Sequence, residues 1–149
     1  MASLSPLMEE ILAQGRSVEI TVTGNSMRPL FHHKVSRVRL APAGELKRGD
    51  VPLYRRDNGA FVLHRIVSQE GETFTCCGDN QWHLEPNLRP DQVLAVMTGF
   101  SRRGEKWTSC QTPLYRLYWR SWVQIRPLRR LVFGGFRRIR RTLSRRKIK

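Results

Sequence analysis

A serine, a histidine and a carboxylate follow one another in this chain in an order that could support nucleophilic catalysis. Ser26 lies in the segment Gly24-Asn25-Ser26-Met27-Arg28-Pro29, and His64 and then Gly78-Asp79-Asn80 follow it. A serine hydroxyl becomes a nucleophile when a nearby base accepts its proton and a third group orients that base. The pattern predicts a Ser-His-carboxylate centre if the fold brings the three segments together.

Short strands are the elements that must position these residues. Residues 18–23 alternate apolar and polar side chains, which predicts a half-buried strand that ends at the Ser26 turn. Residues 57–59, Asp-Asn-Gly, predict a tight hairpin turn. Residues 60–67 then return as a strand, with His64 among apolar neighbours on one face.

The remaining pattern predicts a mainly β fold, an irregular antiparallel β domain of six or seven strands with a short N-terminal helix. Ser5 and Pro6 open that helix and Gly15 closes it. Pro52 lacks an N–H group and predicts an edge position or a bulge for its strand. The other predicted elements are strands at residues 35–40, 51–56, 73–77 and 92–100, and a loop at residues 78–90.

Positive charge is concentrated at the C-terminal end of the chain. Residues 1–112 contain 14 Lys/Arg and 12 Asp/Glu, a net charge of +2, whereas residues 113–149 contain 13 Lys/Arg and no acid, a net charge of +13. Apolar residues in the second part recur at helical spacing, which predicts a basic, helical and amphipathic C-terminal tail interrupted at Pro127. The apolar side of its first helix is predicted to hold Leu114, Leu117, Tyr118, Trp122 and Ile125.

Three roles are open for this tail. It could lie in a membrane interface with its arginines on anionic lipid head groups. Residues 114–125 could instead pack on the β body, or the tail could bind acidic segments of a substrate or partner. The same charge would bind nucleic acid nonspecifically, but we do not expect nucleic acid to be its partner.

Four segments of the chain resemble, in the same order, the sequence boxes of the signal peptidase I and LexA-type serine peptidases. Ser26-Met27-Arg28-Pro29 is similar to the nucleophile box, which follows a strand in that family. Residues 47–51, 63–67 and 78–80 are similar to the Gly-Asp box, the general-base box and the Gly-Asp-Asn box. The resemblance covers roughly residues 18–100 and implies a LexA/signal-peptidase type of fold. It makes residues 1–112 a signal-peptidase-like peptidase domain and leaves residues 113–149 outside the match.

The resemblance implies that His64 is the general base. Bacterial signal peptidases and LexA-like proteins use a lysine, whereas the endoplasmic-reticulum and archaeal branch carries a histidine in that box. A histidine titrates near pH 6.5 and needs little tuning to accept a proton at neutral pH. Its orienting acid is either Asp79, which lies in the matched box and is preferred, or Glu85, because the histidine branch takes its acid a few residues later.

The oxyanion and substrate-binding contacts are assigned to Ser26, Asn25 and Met27. The backbone N–H of Ser26 is the natural first donor to the developing oxyanion. Gly24 has no side-chain donor where the lysine branch carries a hydroxyl, which leaves the Asn25 amide as a replacement. Met27 is interpreted mainly as a packing residue, and Asp50 as a residue that orders its own loop.

Other features bear on location and on cofactors. Cys76, Cys77 and Cys110 form a poor disulfide framework and are typical of buried residues in a reducing cytosol. We expect no cofactor and no metal site, since the histidines and cysteines lack ligand spacing. The N-terminus resembles no signal peptide, and no apolar stretch is long enough to span a membrane. The expected location is the cytoplasm, with the inner face of the membrane as a peripheral site.

The sequence therefore predicts a serine endopeptidase that has no membrane anchor and that cleaves a peptide or leader segment. Two alternatives stay open. The first is a LexA-like autoproteolytic regulator, although only about 17 residues precede the first strand, too few for a helix-turn-helix domain. The second is a noncatalytic cationic binding module with the β body as its scaffold.

Overall fold

A computed structural model describes residues 6–104 and 106–128 of the chain. Two helices and nine strands make up this part. In chain order they are α1 (Pro6–Ala13), β1 (Val18–Thr21), β2 (Arg37–Ala41), β3 (Pro52–Arg55), β4 (Phe61–Leu63), β5 (Arg65–Glu70), β6 (Thr73–Cys77), β7 (Glu85–Leu88), β8 (Val93–Ser101), β9 (Trp107–Ser109) and α2 (Pro113–Gln124), with a 3-10 turn at Pro90–Gln92. The predicted helix cap at Ser5 and the tail beyond residue 128 lie outside the described residues.

The strands form two antiparallel sheets. The larger has the order β1-β2-β8-β3-β4, with β9 also pairing to β8, and the smaller has the order β5-β6-β7. Alternate residues of β2 point into the main core, where Val38 and Leu40 are fully buried. The predicted mainly β, antiparallel fold with a short N-terminal helix is therefore confirmed.

The described residues contain nine strands where six or seven were predicted, because one predicted strand is divided into β4 and β5 and two strands were not predicted. One is β7, within the segment predicted to be a loop, and the other is β9. The sequence of β7, Glu-Pro-Asn-Leu, has no apolar alternation, and only Leu88 is buried. Its extended form comes from pairing with β6, where Cys76 lies opposite Glu85. This pairing places the half-buried Glu85 beside β6.

Pro52 does not lie in an edge strand, because β3 is flanked by β8 and β4. Pro52 is the first residue of β3 and has a register partner on β8 but none on β4. Its missing N–H therefore removes no ladder hydrogen bond between β3 and β4. The register with β8 shifts between Leu53 and Tyr54, which agrees with the predicted bulge.

The strand predicted at residues 60–67 is divided at His64. Residues before it pair with β3 in the larger sheet, and residues after it pair with β6 in the smaller sheet. The backbone at His64 belongs to neither ladder. This break places His64 at the junction of the two sheets, where it is 2 % exposed.

Helix α2 packs on the β body through a face that overlaps the predicted one, since Tyr118 and Trp122 belong to both. Tyr115 and Val123 are buried, whereas Leu114 is 79 % and Leu117 63 % exposed. Both faces of this helix carry apolar residues at helical spacing, so periodicity alone does not choose between them. Among the described residues, no helix is long and apolar enough to cross a membrane.

Candidate active site

Ser26 lies in the turn that leaves β1. Behind it, Met27 is 2 % exposed and belongs to the main core, so it anchors the turn and does not line its surface. This agrees with the packing role predicted for Met27, and its assignment to substrate binding stays a prediction. Ser26 itself is half-buried and Asn25 is exposed beside it.

The loop at residues 78–80 holds the Ser26 turn from the other side. The Asn80 backbone N–H donates a hydrogen bond of 2.7 Å to the Ser26 carbonyl oxygen. The Asn80 side-chain amide donates another, of 3.2 Å, to the carbonyl oxygen of Asn25. Two segments more than 50 residues apart are thus joined through the residues predicted to hold the nucleophile.

Gly78 separates the Ser26 turn from the His64 imidazole. A methyl group built on Gly78 would lie 2.7 Å from the Ser26 carbonyl oxygen and 3.1 Å from His64 Nε2. Both distances are shorter than an ordinary van der Waals contact, so only glycine fits here. The fold therefore brings Nε2 of the predicted base next to the predicted nucleophile's turn.

The other ring nitrogen of His64 meets Glu85. Nδ1 lies 3.0 Å from Glu85 Oε1, and the Tyr54 hydroxyl is 3.4 Å from the same nitrogen. A carboxylate here accepts a hydrogen bond from the Nδ1–H group, which fixes the tautomer that leaves the Nε2 lone pair free to act as a base. Glu85 thus lies where the carboxylate partner of a histidine base is expected.

Two further side chains hold Glu85 in its ionised form. The Tyr54 hydroxyl and Arg56 Nε each donate a hydrogen bond of 2.8 Å to Oε2, and Arg56 Nη2 donates to Oε1. Burial by itself would raise the pKa of Glu85, but these hydrogen bonds and the nearby positive charge lower that pKa to about 2. Glu85 therefore carries a negative charge throughout the neutral range.

The pKa of His64 lies below its ordinary value of 6.5. Burial disfavours the imidazolium and is the main cause; Arg56 acts in the same direction, and the Glu85 carboxylate opposes both. His64 is consequently neutral at pH 7. A neutral imidazole with its proton on Nδ1 is the form that can accept a proton from a serine hydroxyl.

Asp79, the preferred acid of the sequence analysis, has a different principal partner. Its two carboxylate oxygens accept hydrogen bonds of 2.8 and 2.7 Å from Nε and Nη2 of Arg65. Since a bidentate guanidinium matches both oxygens of a carboxylate, the pair directs Asp79 toward Arg65. Arg56 engages Glu85 in the same manner, so the 3.0 Å contact between Glu85 Oε1 and His64 Nδ1 is the observation that favours the alternative, Glu85.

Sequence reasoning did not assign a role to Arg65, which is fully buried. Its guanidinium also donates to the carbonyl oxygen of Gly49, at 3.0 Å, and so links three of the four sequence boxes. The sequence signal for this role was an arginine next to the predicted base in an otherwise apolar segment. A guanidinium buried there requires a carboxylate partner. Tyr54 and Arg56, the partners of Glu85, were also missed.

The remaining predicted residues have structural positions. Asp50 Oδ2 accepts a hydrogen bond of 2.9 Å from the Lys47 N–H, which orders the loop as predicted. Cys76 and Cys77 are buried, and burial raises the pKa of Cys76 to about 12. Within residues 6–104 and 106–128, no group of three or more His, Cys, Asp or Glu side chains is arranged to hold a metal ion.

Comparisons with protein-family models, with curated proteins and with solved structures find no match to this chain.

Proposed function

We propose that this protein is a serine endopeptidase with Ser26 as nucleophile, His64 as general base and Glu85 as the carboxylate that orients the histidine. The observation that carries the proposal is the environment of the two ring nitrogens of one buried imidazole. Nδ1 contacts the ionised Glu85 at 3.0 Å, and Nε2 lies against Gly78 beside the Ser26 turn. A histidine that only filled space would not need an ionised carboxylate on one side and a serine turn on the other.

The chemistry follows the acyl-transfer scheme of such centres. The Ser26 hydroxyl oxygen bonds to the scissile carbonyl carbon while its proton passes to His64 Nε2. Glu85 stabilises the imidazolium that forms, and the Ser26 backbone N–H is a donor to the oxyanion. Nε2 then gives the proton to the leaving amine as the C–N bond breaks. Water hydrolyses the acyl-enzyme by the same steps, and the serine is restored.

The four-box resemblance supports a fold of the LexA/signal-peptidase type within the antiparallel β architecture. The proposed substrate is a leader or another segment of a precursor peptide, and the proposed location is the cytoplasm. The packing of α2 on the β body uses one face of the tail's first helix. The exposed Leu114 and Leu117, together with the arginines between and beyond them, are the part of α2 proposed to meet an anionic membrane surface.

The function is tested with purified full-length protein, its Ser26→Ala variant and a Ser68→Ala control at an exposed serine of β5. Each is incubated with a diverse peptide mixture, and products are read by mass spectrometry. We expect cleavage by the wild type and by Ser68→Ala, and none by Ser26→Ala. Equal cleavage by wild type and Ser26→Ala would refute the assignment.

A second assay does not depend on knowing the substrate. An alkyl fluorophosphonate forms a bond from phosphorus to an activated serine oxygen and releases fluoride. We expect labelling of Ser26 in the wild type and in a His83→Ala control, and at least tenfold slower labelling in His64→Ala. An intact wild type without any labelling or cleavage would favour the noncatalytic binding module.

A further inference from the structure

The inner face of α2 contacts the loop that holds the Ser26 turn. Trp122 Nε1 donates a hydrogen bond of 2.9 Å to the backbone carbonyl oxygen of Asp79. One turn earlier on the same face, the Tyr118 hydroxyl donates to Asp79 Oδ2 at 3.3 Å. A single helix therefore binds both the backbone and the side chain of one residue in the loop at 78–80.

The same face also completes the surroundings of Arg65. The Arg65 guanidinium donates to the Tyr115 hydroxyl at 2.9 Å and lies 5.6 and 5.9 Å from the ring centroids of Tyr115 and Tyr118. The rings of Tyr115, Tyr118 and Trp122 stack in succession, with centroids 6.3 and 5.8 Å apart. The buried Arg65–Asp79 pair is thus enclosed by three aromatic residues of α2.

The neighbours of Asp79 are the residues that touch the proposed centre. Gly78 precedes it and lies against His64 Nε2, and Asn80 follows it and binds the Ser26 carbonyl oxygen. A displacement of Asp79 would move both contacts, because the three residues are consecutive. Misplacement of a reacting group by about 1 Å can lower a rate about 100-fold.

We infer that α2 is a positioning element of the catalytic centre, acting through Tyr118 and Trp122 on the loop at residues 78–80. The inference rests on the proposed peptidase function. Its consequence is that the catalytic unit extends beyond the matched boxes to at least Trp122. Apolar packing would require only that the rings be buried; the indole N–H and the phenol O–H are in addition directed at Asp79.

The test uses full-length protein carrying Tyr118→Phe, Trp122→Phe or both, since each change keeps an aromatic ring and removes one donor. Trp82→Phe is the matched control, because Trp82 is exposed in a loop. The first measurement is amide hydrogen exchange at Asn80, with the β8 amide of Met97 as a reference for global stability. The second is the rate of Ser26 labelling by the fluorophosphonate as a function of its concentration.

We expect exchange at Asn80 to accelerate about fivefold for each lost hydrogen bond, while Met97 stays unchanged. The maximal labelling rate of Ser26 should fall about tenfold in the double variant, with an unchanged half-saturating probe concentration. Trp82→Phe should match the wild type in both measurements. If the double variant loosens Met97 as well, Tyr118→Phe alone, which removes one hydroxyl, decides the outcome.

Three results would overturn the inference. Unchanged exchange at Asn80 in a folded double variant would show that α2 does not hold the loop. Faster exchange with unchanged labelling would show that the loop does not set the reactivity of Ser26. Absence of Ser26 labelling in the wild type would refute the peptidase function and the positioning role with it, whereas the first two results leave that function intact.

Discussion

Replacement of Glu85 by glutamine tests the central contact of the proposed centre. The glutamine side chain would have nearly the same size but would lack the negative charge that lies 3.0 Å from His64 Nδ1. Arg56, which loses its charged partner, has a side chain that is 39 % exposed and can be solvated. The pKa of Glu85 is lowered from 4.5 to about 2, which corresponds to about 3 kcal/mol of folding free energy at pH 7, so we expect Glu85→Gln to lower the free energy of unfolding by up to about that amount.

The effect on catalysis comes from the loss of the negative charge that stabilises the imidazolium. Two opposite unit charges 3.0 Å apart attract by about 5 kcal/mol at an effective dielectric constant of about 20. Arg56 shares the same carboxylate and offsets part of this attraction for the imidazolium. If about half remains, its loss raises the activation free energy enough to slow the reaction about 100-fold.

The pH dependence supplies a second signature. In the wild type, burial lowers the pKa of His64 and Glu85 opposes that effect. Removing Glu85 leaves burial and the Arg56 charge, so the pKa of His64 should fall further below 6.5. The acid limb of the rate profile should accordingly move to lower pH while the plateau drops.

The assay combines the rate of fluorophosphonate labelling of Ser26 between pH 4 and 9 with an NMR titration of the His64 imidazole. Glu72→Gln, at an exposed position of the turn between β5 and β6, is the control and should match the wild type. A labelling rate within threefold of wild type, or an upward shift of the His64 pKa in Glu85→Gln, would refute the orienting role.

Three further predictions follow from the same contacts. In the wild type, the Ser26 labelling rate should fall as pH drops through the His64 pKa, which lies below 6.5 because of burial. A rate independent of pH from 8 to 4 would contradict a histidine base. Gly78→Ala should reduce labelling at least tenfold, since its methyl group would lie 2.7 Å from the Ser26 carbonyl oxygen. A labelling rate equal to that of the wild type would show that the loop at residues 78–80 can move without affecting Ser26. Asp79→Asn should lower the free energy of unfolding in urea by about 3–5 kcal/mol, because it leaves the Arg65 guanidinium buried without its charge partner. A loss under about 1 kcal/mol would be inconsistent with that pair.

Local sequence signals predicted the elements with strong periodicity or turn chemistry. The hairpin at residues 57–59 and the strand Thr73–Cys77 occur as predicted, since a tight turn and apolar alternation determine them locally. Glu85–Leu88 was missed because its residues lack β propensity, and pairing with β6 imposes its conformation. The packed face of α2 was predicted only in part, because two overlapping apolar faces fit the same helical period. Tyr118 and Trp122 of the predicted side contact the β body, whereas Leu114 and Leu117 are exposed.

The candidate site was likewise predicted only in part from the sequence. The order and type of the boxes identified Ser26 and His64, and the structure brings their segments together across Gly78. The choice between Asp79 and Glu85 was open because both follow His64 at plausible distances along the chain. It depended on which carboxylate the fold places at the imidazole, and Glu85 Oε1 lies 3.0 Å from His64 Nδ1.

The sequence by itself determined the antiparallel β class, the uneven charge and the residue types able to do nucleophilic chemistry, since these depend on composition and on neighbours along the chain. Only the tertiary structure decided that Glu85 faces His64, that Arg65 is buried against Asp79, and that α2 closes over that pair. The physical reason is that each of these contacts joins segments from different elements. Their distances and burial depend on strand pairing and helix packing, which local patterns do not specify.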